Sequence, residues 1–138
     1  MTVKSRLLEL LEQHKGETLS GEDIGRELSC TRAAVWKAVN SLRQEGYPIE
    51  AGPNKGYMLA RESNLISAEG IRLFLEDPQV EIKIFDAISS TNLEARQLAV
   101  SGMAGHGSFV VAMEQTAGRG RRGREFYSPK GNGIYLSV

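Results

Sequence analysis

Val3, Leu7, Leu8, Leu10 and Leu11 recur at spacings of three and four, which predicts a helix with one buried face, and Gly16 is a stop signal after them. Ser20, ahead of Glu22 and Asp23, predicts an N-cap with acidic residues in the first turn. Ile24 and Leu28 then give a short second helix one apolar face, ending around Ser29. Thr31 predicts the cap of a third helix, with Val35, Val39 and Leu42 on one side and Ala33, Lys37, Asn40 and Gln44 opposite; Trp36 lies beside the polar face. YPIEA and GYMLA, joined by Gly52-Pro53-Asn54-Lys55-Gly56, read as two strands of a hairpin.

Three helices, a short turn at Ser29-Cys30-Thr31 between the second and third, and a following hairpin are the order of a winged helix-turn-helix. In such a module the third helix enters the major groove, because that groove admits a helix and distinguishes all four base pairs. Arg32, Ala33, Trp36 and Lys37 are the candidate readers, next to the cap Thr31, and Lys55 at the hairpin tip is placed for a phosphate or minor-groove contact. The same pattern also fits a small helical domain with protein contacts and a merely solvated charged face, and Trp36 suits packing as well as reading. Residues 31–56 carry Arg32, Lys37, Arg43 and Lys55 against Glu45 and Glu50, a local +2, so one copy is expected to bind DNA weakly and to need a second.

Residues 61–67 lack periodicity and read as a linker, after which Ser67 caps a new helix, SAEGIRLFL. VEIKIF then predicts a strand, Thr91 to Val100 a helix, SFVVAM a second strand, and GIYLSV a third beyond a loop from Glu114 to Pro129. The expected organisation is residues 1–60 as the winged domain, 61–67 as linker and 68–138 as an α/β region that begins β-α-β. About seventy residues with so few strands make a thin core for an independent domain, and the last apolar run has no polar tail, so a piece of a longer protein is expected.

Composition narrows this picture. With 41% hydrophobic residues and 17 basic side chains against 17 acidic ones in 138, a disordered chain is excluded. No apolar run approaches the roughly 18 residues that span a bilayer and no signal-like stretch follows Met1, so a soluble cytoplasmic protein without membrane contact is expected. The single cysteine, Cys30, precludes an internal disulfide and a cysteine zinc cluster, and no metal site is expected. Charge is local: Glu9, Glu12, Glu17, Glu22, Asp23 and Glu27 make the start acidic, while Arg119, Arg121, Arg122 and Arg124 crowd one loop.

Within that loop GRGRRG fits the string G-x-G-x-x-G, but REFYSP follows it where a dinucleotide site needs a helix, so that reading is rejected. What remains is a backbone freed by Gly118, Gly120 and Gly123 to approach a ligand, with permanently charged guanidinium forks around it. An anionic ligand is the natural expectation; a basic loop touching nucleic acid without sequence preference is the plainer one. If the loop is extended around Gly120, alternation sends Arg119 and Arg121 one way and Arg122 the other.

QTAGRGRRGREFYSPKGNGIYLSV resembles the adenylate-binding segment of the biotin protein ligases, and DAISSTNLEA resembles their other biotin-site segment. TRAAVWKAVNSLRQEG and PNKGYML resemble the DNA-binding domain of the bifunctional members, the biotin operon repressors. The resemblance implies an α+β chain: a winged helix-turn-helix, then the first part of a catalytic domain of class II aminoacyl-tRNA synthetase type. It implies a two-step ligase, in which biotin and Mg-ATP give biotinoyl-AMP and a lysine of the biotin carboxyl carrier protein of acetyl-CoA carboxylase then attacks the mixed anhydride. Carried over by motif, Ser90, Thr91, Asn92 and Gln115 hold the biotin ureido ring and its surroundings, and Arg119, Gly120 and Arg121 hold the carboxylate and phosphate. Phe126 stands where the family commonly has tryptophan and keeps an aromatic on the adenine side. The catalytic lysine, most of the sheet and the small last domain of the family fall beyond Val138, which predicts no ligase activity from these residues alone. Biotinoyl-AMP is implied as corepressor, promoting a homodimer on operator DNA. A regulator whose second domain senses a small anion without catalysis is the alternative.

Overall fold

In the computed structural model, which describes residues 1–52 and 55–138, all five α-helices begin at a serine or threonine whose hydroxyl accepts a backbone N–H three residues on. Each such bond satisfies one of the donors that a helix start leaves free. The helices are α1 (Val3–Gln13, cap Thr2), α2 (Gly21–Glu27, cap Ser20), α3 (Arg32–Gln44, cap Thr31), α4 (Ala68–Arg72, cap Ser67) and α5 (Thr91–Val100, cap Ser90). The strands are β1 (Ile49–Gly52), β2 (Gly56–Leu59), β3 (Ile82–Phe85), β4 (Phe109–Ala112) and β5 (Tyr135–Ser137).

The chain forms two compact units, Met1–Leu75 and Glu76–Val138. In the first, the apolar faces of α1, α2 and α3 close on one core of Leu7, Leu8, Leu10, Leu11, Ile24, Leu28, Val35, Ala38, Val39 and Leu42, with Ile49 and Leu59 added from the hairpin. The turn between α2 and α3 is tight: Ser29 takes φ 50°, the Cys30 N–H bonds to the Gly25 carbonyl at 2.8 Å, and a Cβ on Gly25 would stand 3.0 Å from the Cys30 oxygen. Glycine there lets the turn fold back on its own helix.

Strands β1 and β2 pair antiparallel, Ile49 opposite Leu59 and Gly52 opposite Gly56. The expected turn residues Pro53 and Asn54 lie outside the described residues. Arg43 donates from Nε and Nη2 to the Ile49 carbonyl at 2.8 and 2.7 Å, tying the end of α3 to the hairpin, so one of the four cations counted toward DNA is a structural clamp.

The stretch expected to be a linker is fastened to α1. Lys15 Nζ donates to the Ser63 carbonyl at 2.6 Å, and Ser67 Oγ, which caps α4, donates to Glu12 Oε1 at 3.2 Å. Burial, with Glu69 and Glu12 nearby, raises the Tyr47 phenol above its ordinary range. Helix α4 therefore belongs to the first unit, and the compact division falls after Leu75 instead of at residue 68, a boundary that periodicity could not locate because these bonds join residues about fifty positions apart.

In the second unit β3 and β4 run parallel with α5 between them in sequence, and β5 joins β4 antiparallel, giving the order β3-β4-β5. Ile82, Leu98, Val110, Val111 and Ala112 are its buried aliphatic residues, while Ile134, Leu136 and Val138 around β5 stay exposed.

Candidate functional site

Beyond β3 and β4 the parallel ladder continues without regular strands. The Ile88 N–H bonds to the Glu114 carbonyl at 3.1 Å, the Thr116 N–H to the Ile88 carbonyl at 2.9 Å, and the Ala117 N–H to the Ser89 carbonyl at 2.9 Å. This extension carries Gln115 to the start of α5. There Gln115 Oε1 accepts from the Thr91 N–H at 2.8 Å and from Thr91 Oγ1 at 3.1 Å, while its Nε2 donates to Ser128 Oγ at 3.0 Å. From β5, Ser137 Oγ lies 2.9 Å from Thr91 Oγ1 and 2.8 Å from Asn92 Oδ1. Ser90, Thr91, Ser128 and Ser137 are buried, and the network satisfies groups that would otherwise be costly to remove from water.

The arginine-glycine segment is a narrow hairpin. The Gln115 N–H bonds to the Ser128 carbonyl at 3.0 Å, the Phe126 N–H to the Gly118 carbonyl at 2.8 Å, and the Gly120 N–H to the Arg124 carbonyl at 2.7 Å. Its two sides close so tightly that a Cβ on Gly118 would lie 2.4 Å from the Phe126 oxygen and 2.7 Å from Ser128 Oγ. Arg121–Gly123 form a single 3-10 turn at the tip, with Arg122 at φ 58° and ψ 35°, a left-handed conformation that strains a residue with a Cβ. The expected alternation thus holds only as far as Gly120, and residues 121 and 122 sit on a turn, where extended-strand geometry does not apply.

Ser90, Thr91, Asn92, Gln115, Arg119, Phe126 and residues 134–137 line a cavity of about 270 Å³. A wider cleft of about 930 Å³ follows the hairpin from Gln115 to Ser128 and is bordered by Arg119, Gly120 and Arg124, but not by Arg121 or Arg122. The four arginines are exposed, and among the described residues none of them is in an ion pair. The sequence-based selection of Ser90, Thr91, Asn92, Gln115 and Arg119 therefore comes together around one cavity, and Arg121 stands apart on the tip. Ser128 and Ser137 were missed; the one available signal was Ser137, a small polar side chain inside the apolar run GIYLSV. A further pair, Lys130 with Asp86, bonds the segment after the hairpin to the end of β3. Among the described residues no cluster of His, Cys, Asp or Glu forms a metal site.

In the first unit, α3 presents Arg32, Ala33, Trp36 and Lys37 to solvent, Trp36 being 62% exposed, so the packing alternative for that side chain is not realised. Thr31 Oγ1 is occupied as the cap, accepting from the Ala34 N–H at 3.2 Å, and Lys55 is exposed at the end of the wing. Arg32 is not free: Nη2 lies 2.7 Å from Glu22 Oε2.

Residues 3–58 match the family described as HTH domain, and residues 84–138 match the Biotin/lipoate A/B protein ligase family. Over 99% of its length the chain is 42% identical to the bifunctional ligase/repressor BirA of Bacillus spizizenii and 38% identical to the protein of that name from Escherichia coli. A stretch of 43 residues, 31% of this chain and 17% of the relative, is 58% identical to the biotin--[acetyl-CoA-carboxylase] ligase of Paracoccus denitrificans. The chain spans about two fifths of the two longer relatives, 42% and 41% of their lengths. It joins a helix-turn-helix domain to a segment of the biotin/lipoate ligase family, in the expected order.

Proposed function

We propose that this chain supplies the operator-binding domain and part of the biotin-activating site of a cytoplasmic biotin ligase that is also a biotin-dependent repressor. The observation that carries the reading is the cavity in which an uncharged network of Thr91, Asn92, Gln115 and Ser137 adjoins the guanidinium of Arg119. Biotin has that polarity, a neutral cyclic urea at one end and a carboxylate at the other. Amide and hydroxyl groups offer the urea both donors and acceptors, while a permanently charged fork suits the carboxylate.

In the first step the carboxylate attacks the α-phosphorus of Mg-ATP, forming biotinoyl-AMP and releasing pyrophosphate. Two anions must meet, and Arg119, with Arg121 on the hairpin tip, lowers their repulsion and the charge gathering at phosphorus. Gly120 keeps the backbone between them open to the ligand. In the second step a lysine amine of the carrier protein of acetyl-CoA carboxylase attacks the acyl carbon, giving an amide and AMP. Retained biotinoyl-AMP acts as corepressor by favouring a homodimer, which doubles the weak DNA contact of Arg32, Ala33, Trp36, Lys37 and Lys55.

Biotin-dependent exchange of labelled pyrophosphate into ATP, assayed with the ligase that contains this segment, is the test. Arg119→Ala is expected to lower exchange by about tenfold or more, the loss of one charge-assisted contact. Exchange that ignores biotin would overturn the ligase reading, and biotin binding without exchange would favour a regulator that only senses the ligand. From the 138 residues alone no exchange is expected, since a three-stranded sheet with apolar side chains bare around β5 holds the two anion-binding segments too loosely for in-line attack.

A further inference from the structure

The first turns of α2 and α3 are linked by one carboxylate. Glu22 Oε2 lies 2.7 Å from Arg32 Nη2, and Glu22 Oε1 lies 3.5 Å from Arg26 Nη2, one turn along its own helix. The neighbouring acid, Asp23, is engaged by the Ser20 hydroxyl at 2.6 Å and by Arg26 at 3.4 Å, which leaves Glu22 as the partner of Arg32. Glu22 and Arg32 are both largely exposed, so their attraction adds little to stability. Its effect is geometric. A guanidinium carries five N–H donors in a rigid plane, and a contact to one Nη2 hydrogen leaves an adjacent pair of parallel donors unused. A pair of that kind matches guanine O6 and N7 in the major groove.

We infer that Glu22 is a positioning residue for DNA reading: it holds the Arg32 guanidinium by one donor so that the free fork faces a base edge. This rests on the DNA-binding reading of α3 proposed above. The same carboxylate stands beside a surface that must approach phosphates, so it lowers affinity for every duplex while sharpening preference among them. Glu22 thereby acts in opposite directions on strength and selectivity of binding.

Duplexes enriched from a randomised pool by the unmodified ligase that contains this segment, supplied with biotin and ATP, and a shuffled duplex of the same composition, are the probes. Glu22→Gln is expected to bind the shuffled duplex more tightly, with the ratio of enriched to shuffled affinity falling by about tenfold, within the range set by one bidentate base contact. In an Arg32→Ala background the same substitution is expected to leave that ratio unchanged, because the group it positions is gone. A merely structural role would move both affinities together. An unchanged ratio for Glu22→Gln, in a chain where Arg32→Ala does relax preference, overturns the positioning role alone. A pool that yields no enriched sequence overturns the DNA-binding reading beneath it.

Discussion

In the first unit Leu7, Leu11, Ile24, Val35, Val39, Leu42 and Leu59 are almost wholly removed from water, and the candidate reading residues Arg32, Ala33, Trp36 and Lys37 all stand outside that core. In the second unit Ser90, Thr91, Ser128 and Ser137 are buried beside Ile82, Leu98 and Val110, and three of those four are tied directly to Gln115 or Asn92 at the cavity. The two designs separate differently. A helix with one apolar face can change its solvent side at little structural cost, so recognition there is free to vary. Where the groups lining a candidate site are also the groups that satisfy one another inside, a change in what the site recognises would be a change in stability.

Three substitutions test how sharp that contrast is. The largest effect is expected from Leu42→Ala, which empties part of the helical core and should cost about 2–5 kcal/mol. Its helical circular dichroism should melt earlier, and a midpoint equal to the parent's would show that the core is not the support of this unit. Gln115→Ala comes next. It strands the Thr91 N–H and takes the acceptor from the Thr91 hydroxyl, while Ser128 Oγ keeps its bond to the Phe126 carbonyl, and should cost about 1–3 kcal/mol, with faster hydrogen exchange at the Thr91 amide and weaker biotin binding in the same variant. Loss of binding with exchange unaltered would separate site from scaffold and break the comparison. Trp36→Ala should be smallest, within about 0.5 kcal/mol by thermal melting, while binding to duplex DNA falls; a large destabilisation would mean that its 62% exposure conceals a packing role.

What could be read from the sequence follows the range of the forces involved. The caps Ser20, Thr31 and Ser67, the apolar face of α3 and the β-α-β order were legible, because a cap and its target lie three residues apart and an apolar face repeats every turn. Glu22 with Arg32, Lys15 with the Ser63 carbonyl and Ser137 with Thr91 were not. Each joins residues brought together only by tertiary packing, and no local period announces them. The hairpin of residues 115–128 falls between these cases. Its glycines signalled close approach of the backbone, but not that Gly118 would meet the opposite side of the same hairpin or that Arg122 would occupy the turn.

The network around Thr91 has a consequence for protons. Its side chains are alcohols and amides, the charged group beside them is a guanidinium, and among the described residues neither histidine nor carboxylate lines the cavity of about 270 Å³. Alcohols and amides do not titrate in water near neutrality. The donors and acceptors there are therefore the same in an acidified cell as in a neutral one. These alcohols and amides add no pH response of their own near neutrality, so that a neutral amide analogue of the ligand is expected to bind with an affinity that varies less with pH than that of the acid.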